Sequence, residues 1–159
     1  MKLNDEFVLA LLRSLDIFEN VDNVSLLKLG HRFRERIYTQ NEIVFEEGSI
    51  GNSMMIIASG EVRVSQSPGP NQEEALTILK KGDIFGEMSL LEELPRSATI
   101  IAHTNVITIE ITRDDFFNYI ESDPQNGIKI LIKLCKILSF RLRETNSKLK
   151  AFINFSQWL

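Results

Sequence analysis

The sequence predicts an α+β protein, mainly a jelly-roll-like β-barrel, with short helices before it and one long helix after it. Three observations predict this. From Ile37 to Thr112, short β-branched runs alternate with Gly, Pro, Asn and Ser turns, which is the grammar of many antiparallel strands. Before and after that stretch, apolar residues return at helical spacing instead. The 159 residues suffice for one domain with a real core, and 43% hydrophobic with 25% charged content is ordinary for a globular chain. The sequence therefore reads as a single unit over residues 1–159: N-terminal helices (1–36), barrel (37–112) and C-terminal helices (113–159).

The elements follow in order. Asp5–Leu15 is predicted as an amphipathic helix with Phe7, Leu11, Leu12 and Leu15 on one side. Asn23 is the expected N-cap of a second helix running to about Arg36 and burying Leu26, Leu27, Leu29 and Phe33. Strands are expected at Ile56–Ile57, Val62–Val64, Leu76–Leu79 and Ala98–Ala102. The clearest is Val106–Ile111, where Ile107, Ile109 and Ile111 alternate with Thr108 and Glu110. Ser67–Asn71 reads as a turn tip and the most mobile loop. Such strand spacing suits a barrel closed around its own core.

Thr112 is expected to open a third helix, with Asp114 and Asp115 in the first turn near the positive helix end. Asp123-Pro124 starts the last helix, Asp as cap and Pro at the first helical position. There, Ile128, Leu131, Cys135, Leu138, Leu142, Thr145, Leu149 and Phe152 fall at alternating three- and four-residue steps, the a/d spacing of a coiled coil. A second line, Ile130, Leu134 and Ile137, lies on an adjacent face. A helix apolar over so wide an arc is covered on two sides. The barrel is expected on one side and a second copy of the helix, making a homodimer, on the other. The alternative is that a single domain covers both.

Composition narrows the function classes. No apolar run approaches the roughly 20 residues that span a bilayer. The N-terminus carries Asp5 and Glu6 where a signal peptide needs basic and then apolar residues. Cys135, the one cysteine, reads as a buried small hydrophobe. A cytoplasmic protein without a membrane partner is expected. The net charge of −4 argues against nucleic acid as the main partner. Basic clusters at His31–Arg36 and at Lys129, Lys133 and Lys136 read as solvated helix faces. The two histidines, His31 and His103, fall on a helix and a strand and do not form the clustered ligand set of a metal-dependent enzyme. No nucleophile–base pair is visible. Neither a catalytic site nor a metal site is predicted.

The chemistry concentrates in Gly82–Thr99. Gly86 permits close approach of a ligand to the backbone. Glu87 supplies a fixed acceptor for sugar hydroxyls. Ser89–Glu93 can form one helical turn, whose free N–H groups attract an anion. Pro95 stiffens the approach to Arg96, whose planar fork matches phosphate oxygens. Together these suit a ribose joined to a singly charged phosphate.

Phe85-Gly86-Glu87-Met88-Ser89-Leu90-Leu91, the spacer Glu92-Glu93-Leu94 and Pro95-Arg96-Ser97-Ala98-Thr99 closely resemble the phosphate-binding cassette (85–99) of cyclic nucleotide-binding domains. These domains occur in protein kinase A regulatory subunits, cyclic-nucleotide-gated channels and the bacterial catabolite activator protein. The likeness extends to Glu47–Val62, Lys81–Asp83, the helix around Leu12–Phe18 and the Asp123-Pro124 hinge with its final helix, about residues 10–150. The resemblance implies a non-enzymatic sensor that binds cyclic AMP, with cyclic GMP left open, and signals through the last helix. Glu87 would hold the ribose 2′-hydroxyl beside the Gly86 backbone, and Arg96 would pair with the cyclic phosphate. Backbone N–H groups of Ser89 and Ser97 would complete the anion cradle. A hydroxyl at Ser97 is compatible with either base. The spacer departs from the family, many of whose members carry Gly where this chain has Glu92-Glu93-Leu94. A nucleotide-blind dimerisation or interaction domain of the same fold is therefore the alternative. No DNA-binding module is expected within these 159 residues, since few follow the long helix. The chain is expected as a stand-alone bacterial-type member, or else as a regulatory fragment of a longer transcription factor.

Overall fold

Strand Ser53–Ser59 shows why the fold needs two cores. Its residues Ser53 to Ile57 are all buried, although side chains alternate between the two faces of a strand. Met54 and Ile56 join one apolar cluster with the helices, while Met55 and Ile57 join another inside the barrel. A strand covered on both faces carries a continuous apolar run rather than an alternating one.

The computed structural model describes residues 5–69 and 72–156. The chain runs α1 (Asp5–Arg13), a 3₁₀ turn (Asp16–Phe18), α2 (Asn23–Gly30), β1 (Arg34–Tyr38), β2 (Ile43–Phe45), β3 (Ser53–Ser59), β4 (Glu61–Gly69), β5 (Gln72–Lys80), β6 (Ile84–Phe85), α3 (Glu87–Glu92), β7 (Thr99–Ala102), β8 (Val106–Thr112), α4 (Arg113–Ser122) and α5 (Pro124–Ser156). The strands form two four-stranded sheets, ordered β1-β8-β3-β6 and β2-β7-β4-β5, with every pairing antiparallel. This is the expected α+β, jelly-roll-like architecture with a long C-terminal helix. The helices pack over the outer face of the first sheet, where Phe18, Leu26, Leu29, Phe116, Tyr119, Ile130 and Leu134 meet Ile109 and Ile111. Val62, Phe85, Ile100, Ala102 and Val106 fill the space between the sheets.

Several local expectations change. In α1, Val8 is buried with Leu11 and Leu12, whereas Phe7 is exposed. The α2 cap is Asp22, one residue before Asn23, and its side chain accepts from the Ser25 N–H at 2.9 Å. That helix stops at Gly30 rather than Arg36. A Cβ at Gly30 would collide with Val8, so this point is a close helix crossing. Residues 34–38 become β1, because pairing with β8 satisfies their backbone groups. On β8 the alternation is imperfect: Thr108 is fully buried and Ile107 only half-buried. The expected Ser67–Asn71 turn is occupied up to Gly69 by β4, and Pro70 and Asn71 lie outside the described residues. Thr112 does cap α4, accepting from the Asp115 N–H.

The start of α5 is locked to the N-terminal helices by a polar cluster. Asp123 caps α5 by accepting from the Asn126 N–H, and the Ser25 hydroxyl donates to Asp123. The Asn126 amide lies 2.8 Å from Asp22 Oδ2 and 2.9 Å from Ser25 Oγ. Two helix N-termini thus meet, and each carries its own carboxylate against the positive end of the backbone dipoles. Lys129 donates to the Asn20 carbonyl at 2.9 Å, and Lys133 pairs with Asp16 and Glu19. These lysines do not form a free solvated face; they strap the first turns of α5 to residues 16–22. On α5, Ile130 and Leu134 face the core as expected, and Ile137 packs against it. Cys135 is exposed rather than buried, and so are Ile128, Leu142, Leu149 and Phe152.

Candidate functional site

A cavity of about 340 Å³ opens between the barrel and α5. Its floor is Phe45, Val64, Leu79, Phe85, Ala98 and Ile100 from the strands and their flanks. Along one wall run Gly86, Glu87, Met88, Ser89, Arg96 and Ser97; across the mouth stand Leu138, Arg141, Leu142 and Thr145 of α5. All five residues singled out for ligand contact, Gly86, Glu87, Ser89, Arg96 and Ser97, therefore border one space.

The wall forms because β6 turns directly into α3. Gly86 is the N-cap of α3 and has φ 77°, a left-handed conformation that glycine adopts without steric cost. A Cβ at this position would also sit 2.6 Å from Arg96 Nη1 and 2.9 Å from the Ser53 carbonyl oxygen. Helix α3 begins at Glu87 rather than Ser89, and its first intrahelical bond runs from the Leu90 N–H to the Gly86 carbonyl at 3.3 Å. The N–H groups of Glu87, Met88 and Ser89 precede that bond and are free of helical partners.

Arg96 is only 7% exposed. Its backbone is tied to the β2–β3 connection, with Arg96 N donating to the Ser49 carbonyl and Gly48 N donating to the Arg96 carbonyl. The guanidinium donates to the Ser53 carbonyl at 2.8 Å, the Ser53 hydroxyl at 3.1 Å and the Gly86 carbonyl at 3.2 Å. It also lies 4.0 Å from the centroid of the Phe45 ring, a cation–π contact. Gly51 leaves the room for this, since a Cβ there would overlap the Arg96 side chain. Burial draws the Arg96 pKa down, while the Glu110 and Glu87 carboxylates oppose that drop. Arginine remains a cation under these conditions.

Glu87 does not pair with Arg96. Its carboxylate, 5% exposed, accepts from Arg141 Nη1 of α5 at 2.7 Å. Arg141 Nη2 donates to the Ile84 carbonyl, so one guanidinium clamps α5 to both the acid and the end of β6. Sequence reasoning missed Arg141. The signal was present, since Arg141 continues the barrel-facing line Ile130, Leu134, Ile137 by one more helical step. A cation at that point of an inward line needs an anionic partner. Leu138, Leu142 and Thr145, expected only in a helix–helix seam, border the cavity as well. The Ser97 carbonyl accepts from Gln66 at 3.2 Å, while its side chain is exposed at the rim. Among the described residues, no group of His, Cys, Asp and Glu could hold a metal ion, and no helix is long and apolar enough to cross a membrane.

Comparison with known proteins agrees with this geometry. Residues 35–123 match the family described as the cyclic nucleotide-binding domain. The chain is 34% identical over 117 residues to the cyclic AMP receptor protein of Thermus thermophilus, covering 74% of this chain and 52% of that protein. It is 32% identical over 115 residues to human cGMP-dependent protein kinase 2, covering 72% of this chain and 15% of the kinase. The chain thus spans about half the length of the first relative and a small part of the second. Among solved structures, a cyclic nucleotide-binding domain from Methylobacillus flagellatus superposes with a TM-score of 0.79 at 25% identity, over 91% of this chain and 81% of the other. The chain belongs to the cyclic nucleotide-binding domain family.

Proposed function

We propose that residues 1–159 form one regulatory domain, not a catalyst, which binds a cyclic nucleotide and reports its presence through α5. Cyclic AMP is the first candidate ligand and cyclic GMP the second, in keeping with one relative named for each. The observation that carries the reading is the convergence of Glu87 and Arg96 on one cavity. Its volume falls within the range of about 300–1,000 Å³ common to small-molecule sites. In this reading Glu87 takes the ribose 2′-hydroxyl beside the Gly86 backbone. Arg96 faces the cyclic phosphate, and the backbone amides of Ser89 and Ser97 complete the cradle. Leu138, Leu142 and Thr145 stand where they can cover the base. The Arg141–Glu87 bridge is the point at which ribose binding would be felt by α5, since ligand and helix share one carboxylate. Such a ligand shifts α5 only as far as its affinities for the two helix positions differ.

The exposed stripe Ile128, Leu142, Leu149 and Phe152 supports a parallel homodimer through α5. A partner other than nucleic acid for this stretch accords with the net charge of −4, and a cytoplasmic location with the lack of an apolar run long enough to span a bilayer. One observation favours a second reading, a nucleotide-blind domain of the same fold. The polar groups of the site already have internal partners: Arg141 for Glu87, and Ser53 and Gly86 for Arg96. Thermal unfolding decides between the two. A ligand that binds only the folded form at about 100 times its dissociation constant adds roughly 2.7 kcal/mol. Cyclic AMP or cyclic GMP should raise the melting temperature clearly, and 5′-AMP much less. A melting curve unmoved by millimolar amounts of both cyclic nucleotides would leave the nucleotide-blind domain as the better account.

A further inference from the structure

The far end of α3 carries an attachment that lies outside the cavity. Its C-cap, Glu93, has φ 58°. The other described non-glycine residues with positive φ are Asn20 and Asn41, a residue type that tolerates this region. Glu93 has no such excuse and needs to be held there. The holder is Arg113, the first residue of α4. Its Nε lies 2.9 Å from Glu93 Oε1, and its Nη1 donates to the Leu90 carbonyl in the last turn of α3. The same guanidinium lies 4.7 Å from the centroid of the Phe117 ring, which packs against the helical core. The Arg113 backbone N–H donates to the Asn52 carbonyl at 2.6 Å, next to the Ser53 that holds Arg96. Neither Arg113 nor Glu93 borders the cavity.

We propose that Arg113 is a positioning residue for the ligand site: by locking the end of α3 onto α4, it sets where Glu87 and Ser89 stand. The proposal rests on the cyclic nucleotide reading. One side chain caps an α3 carbonyl and pairs with the strained Glu93, while its stack on Phe117 fixes it to α4, so displacing α3 breaks two contacts at once. A six-residue helix has few backbone bonds of its own to hold its place. The spacer that departs from the family's Gly is thus matched, in this chain, by an arginine that secures it.

The test measures two things on the wild type, Arg113→Ala, Arg113→Lys, Glu93→Gly and the Arg113→Ala/Glu93→Gly double variant. The first is affinity for cyclic AMP and cyclic GMP by isothermal titration. The second is amide hydrogen exchange of the ligand-free proteins. Arg113→Ala should weaken binding of whichever nucleotide the wild type takes by about two- to thirtyfold, the usual reach of residues that act without touching the ligand. It should speed exchange at Leu90–Glu92 while leaving the barrel strands unchanged. Arg113→Lys should recover only part of the loss, because a point charge cannot cap, pair and stack together. In the Glu93→Gly background, where the turn is relaxed, Arg113→Ala should cost less than in the wild type. Equal affinity for wild type and Arg113→Ala would overturn the proposal. So would unchanged exchange in α3, or a rise spread evenly over the whole fold. If the wild type binds neither nucleotide, the cyclic nucleotide reading itself falls, and α3 exchange alone then decides whether Arg113 sets the position of that helix.

Discussion

Replacing Arg96 by alanine is the perturbation that probes the site most directly. The side chain is 7% exposed and donates to three oxygens, two of them main-chain carbonyls that cannot move away. Hydrogen bonds from a charged donor contribute about 1.5–3 kcal/mol each, and an acceptor left buried without a partner costs about 1–3 kcal/mol. The cavity beside Arg96 can admit water, which offsets part of the loss. A net destabilisation of about 2–4 kcal/mol of the ligand-free protein is therefore expected. At roughly 2–4 °C per kcal/mol for a chain of this size, that is a fall of about 4–16 °C in melting temperature. Arg96 is thus expected to support the fold before any ligand arrives.

Binding should fall further than stability alone explains. Removing one member of a hydrogen-bonded charge pair costs about 2–5 kcal/mol, a factor between about thirty and several thousand in dissociation constant. Isothermal titration well below the melting point of the variant separates the two effects. Arg96→Lys should regain part of the affinity but little of the stability, since one ammonium cannot reach Ser53 and Gly86 with the fork geometry. An Arg96→Ala protein that melts like the wild type would refute the structural reasoning. One that is less stable but binds cyclic nucleotide with unchanged affinity would show that Arg96 is scaffolding and that the phosphate sits elsewhere.

Other perturbations test separate contacts. Arg141→Ala strands the 5%-exposed Glu87 carboxylate, and since Arg141 is itself about a third exposed the cost should be about 1–3 kcal/mol. Adding Glu87→Gln should return most of it in a urea-denaturation cycle, whereas additive losses would mean the bridge is idle. Leu149→Glu places a charge in the exposed α5 stripe without touching the cavity, and should convert a dimer into a folded monomer by sedimentation. A wild type that is monomeric at tens of micromolar would refute the seam. The Asp22 carboxyl is held below its ordinary value of 3.8 first by the Ser25 N–H and then by the Asn126 amide. Its charged form is favoured by folding, so its contribution is present above 3.8 and is lost as pH falls through the lower folded value. The stability gap between wild type and Asp22→Asn should be full at neutral pH and close in acid; a gap independent of pH would refute the assignment.

How much could be read from the chain depended on the kind of signal. Turn chemistry and β-branched runs located the barrel, and Asp123-Pro124 located the start of α5, because these are local effects. The second helix was read past Gly30 because Phe33 continues the apolar spacing, while pairing of residues 34–38 with β8, some seventy positions away, left no local trace. Alternation on β8 likewise points Thr108 outward, and nothing local says that the first sheet is covered on both faces. Gly86, Glu87, Ser89, Arg96 and Ser97 border one cavity, and a turn, an acid and an arginine at fixed spacing leave a pattern that singles them out. The partners of Arg96 are not singled out, because main-chain carbonyls at Ser53 and Gly86 have no residue type to betray them. Arg141 has a signal in the sequence, a cation in line with Ile130, Leu134 and Ile137, which an apolar-stripe criterion alone passes over.

The manner in which α5 is attached bears on what it can transmit. Its first turns are fixed by Asn126, Lys129 and Lys133 to residues 16–25, and by Ile130 and Leu134 to the core. Beyond Ile137 the polar attachment is Arg141, to Glu87 and the Ile84 carbonyl, and from Leu142 onward every described residue is exposed. The helix is thus held firmly at one end and clamped by a guanidinium at its middle. In the proposed reading, a ligand on Glu87 would act on α5 at this clamp, with about 15 residues of exposed helix beyond it. Leu138, Leu142 and Thr145 border the cavity from that part of α5, and Leu142 also belongs to the exposed stripe that supports the proposed dimer. If α5 does pair with a second copy, ligand contact and helix pairing share side chains. Occupancy of one cavity would then alter the packing of the seam without any intervening relay.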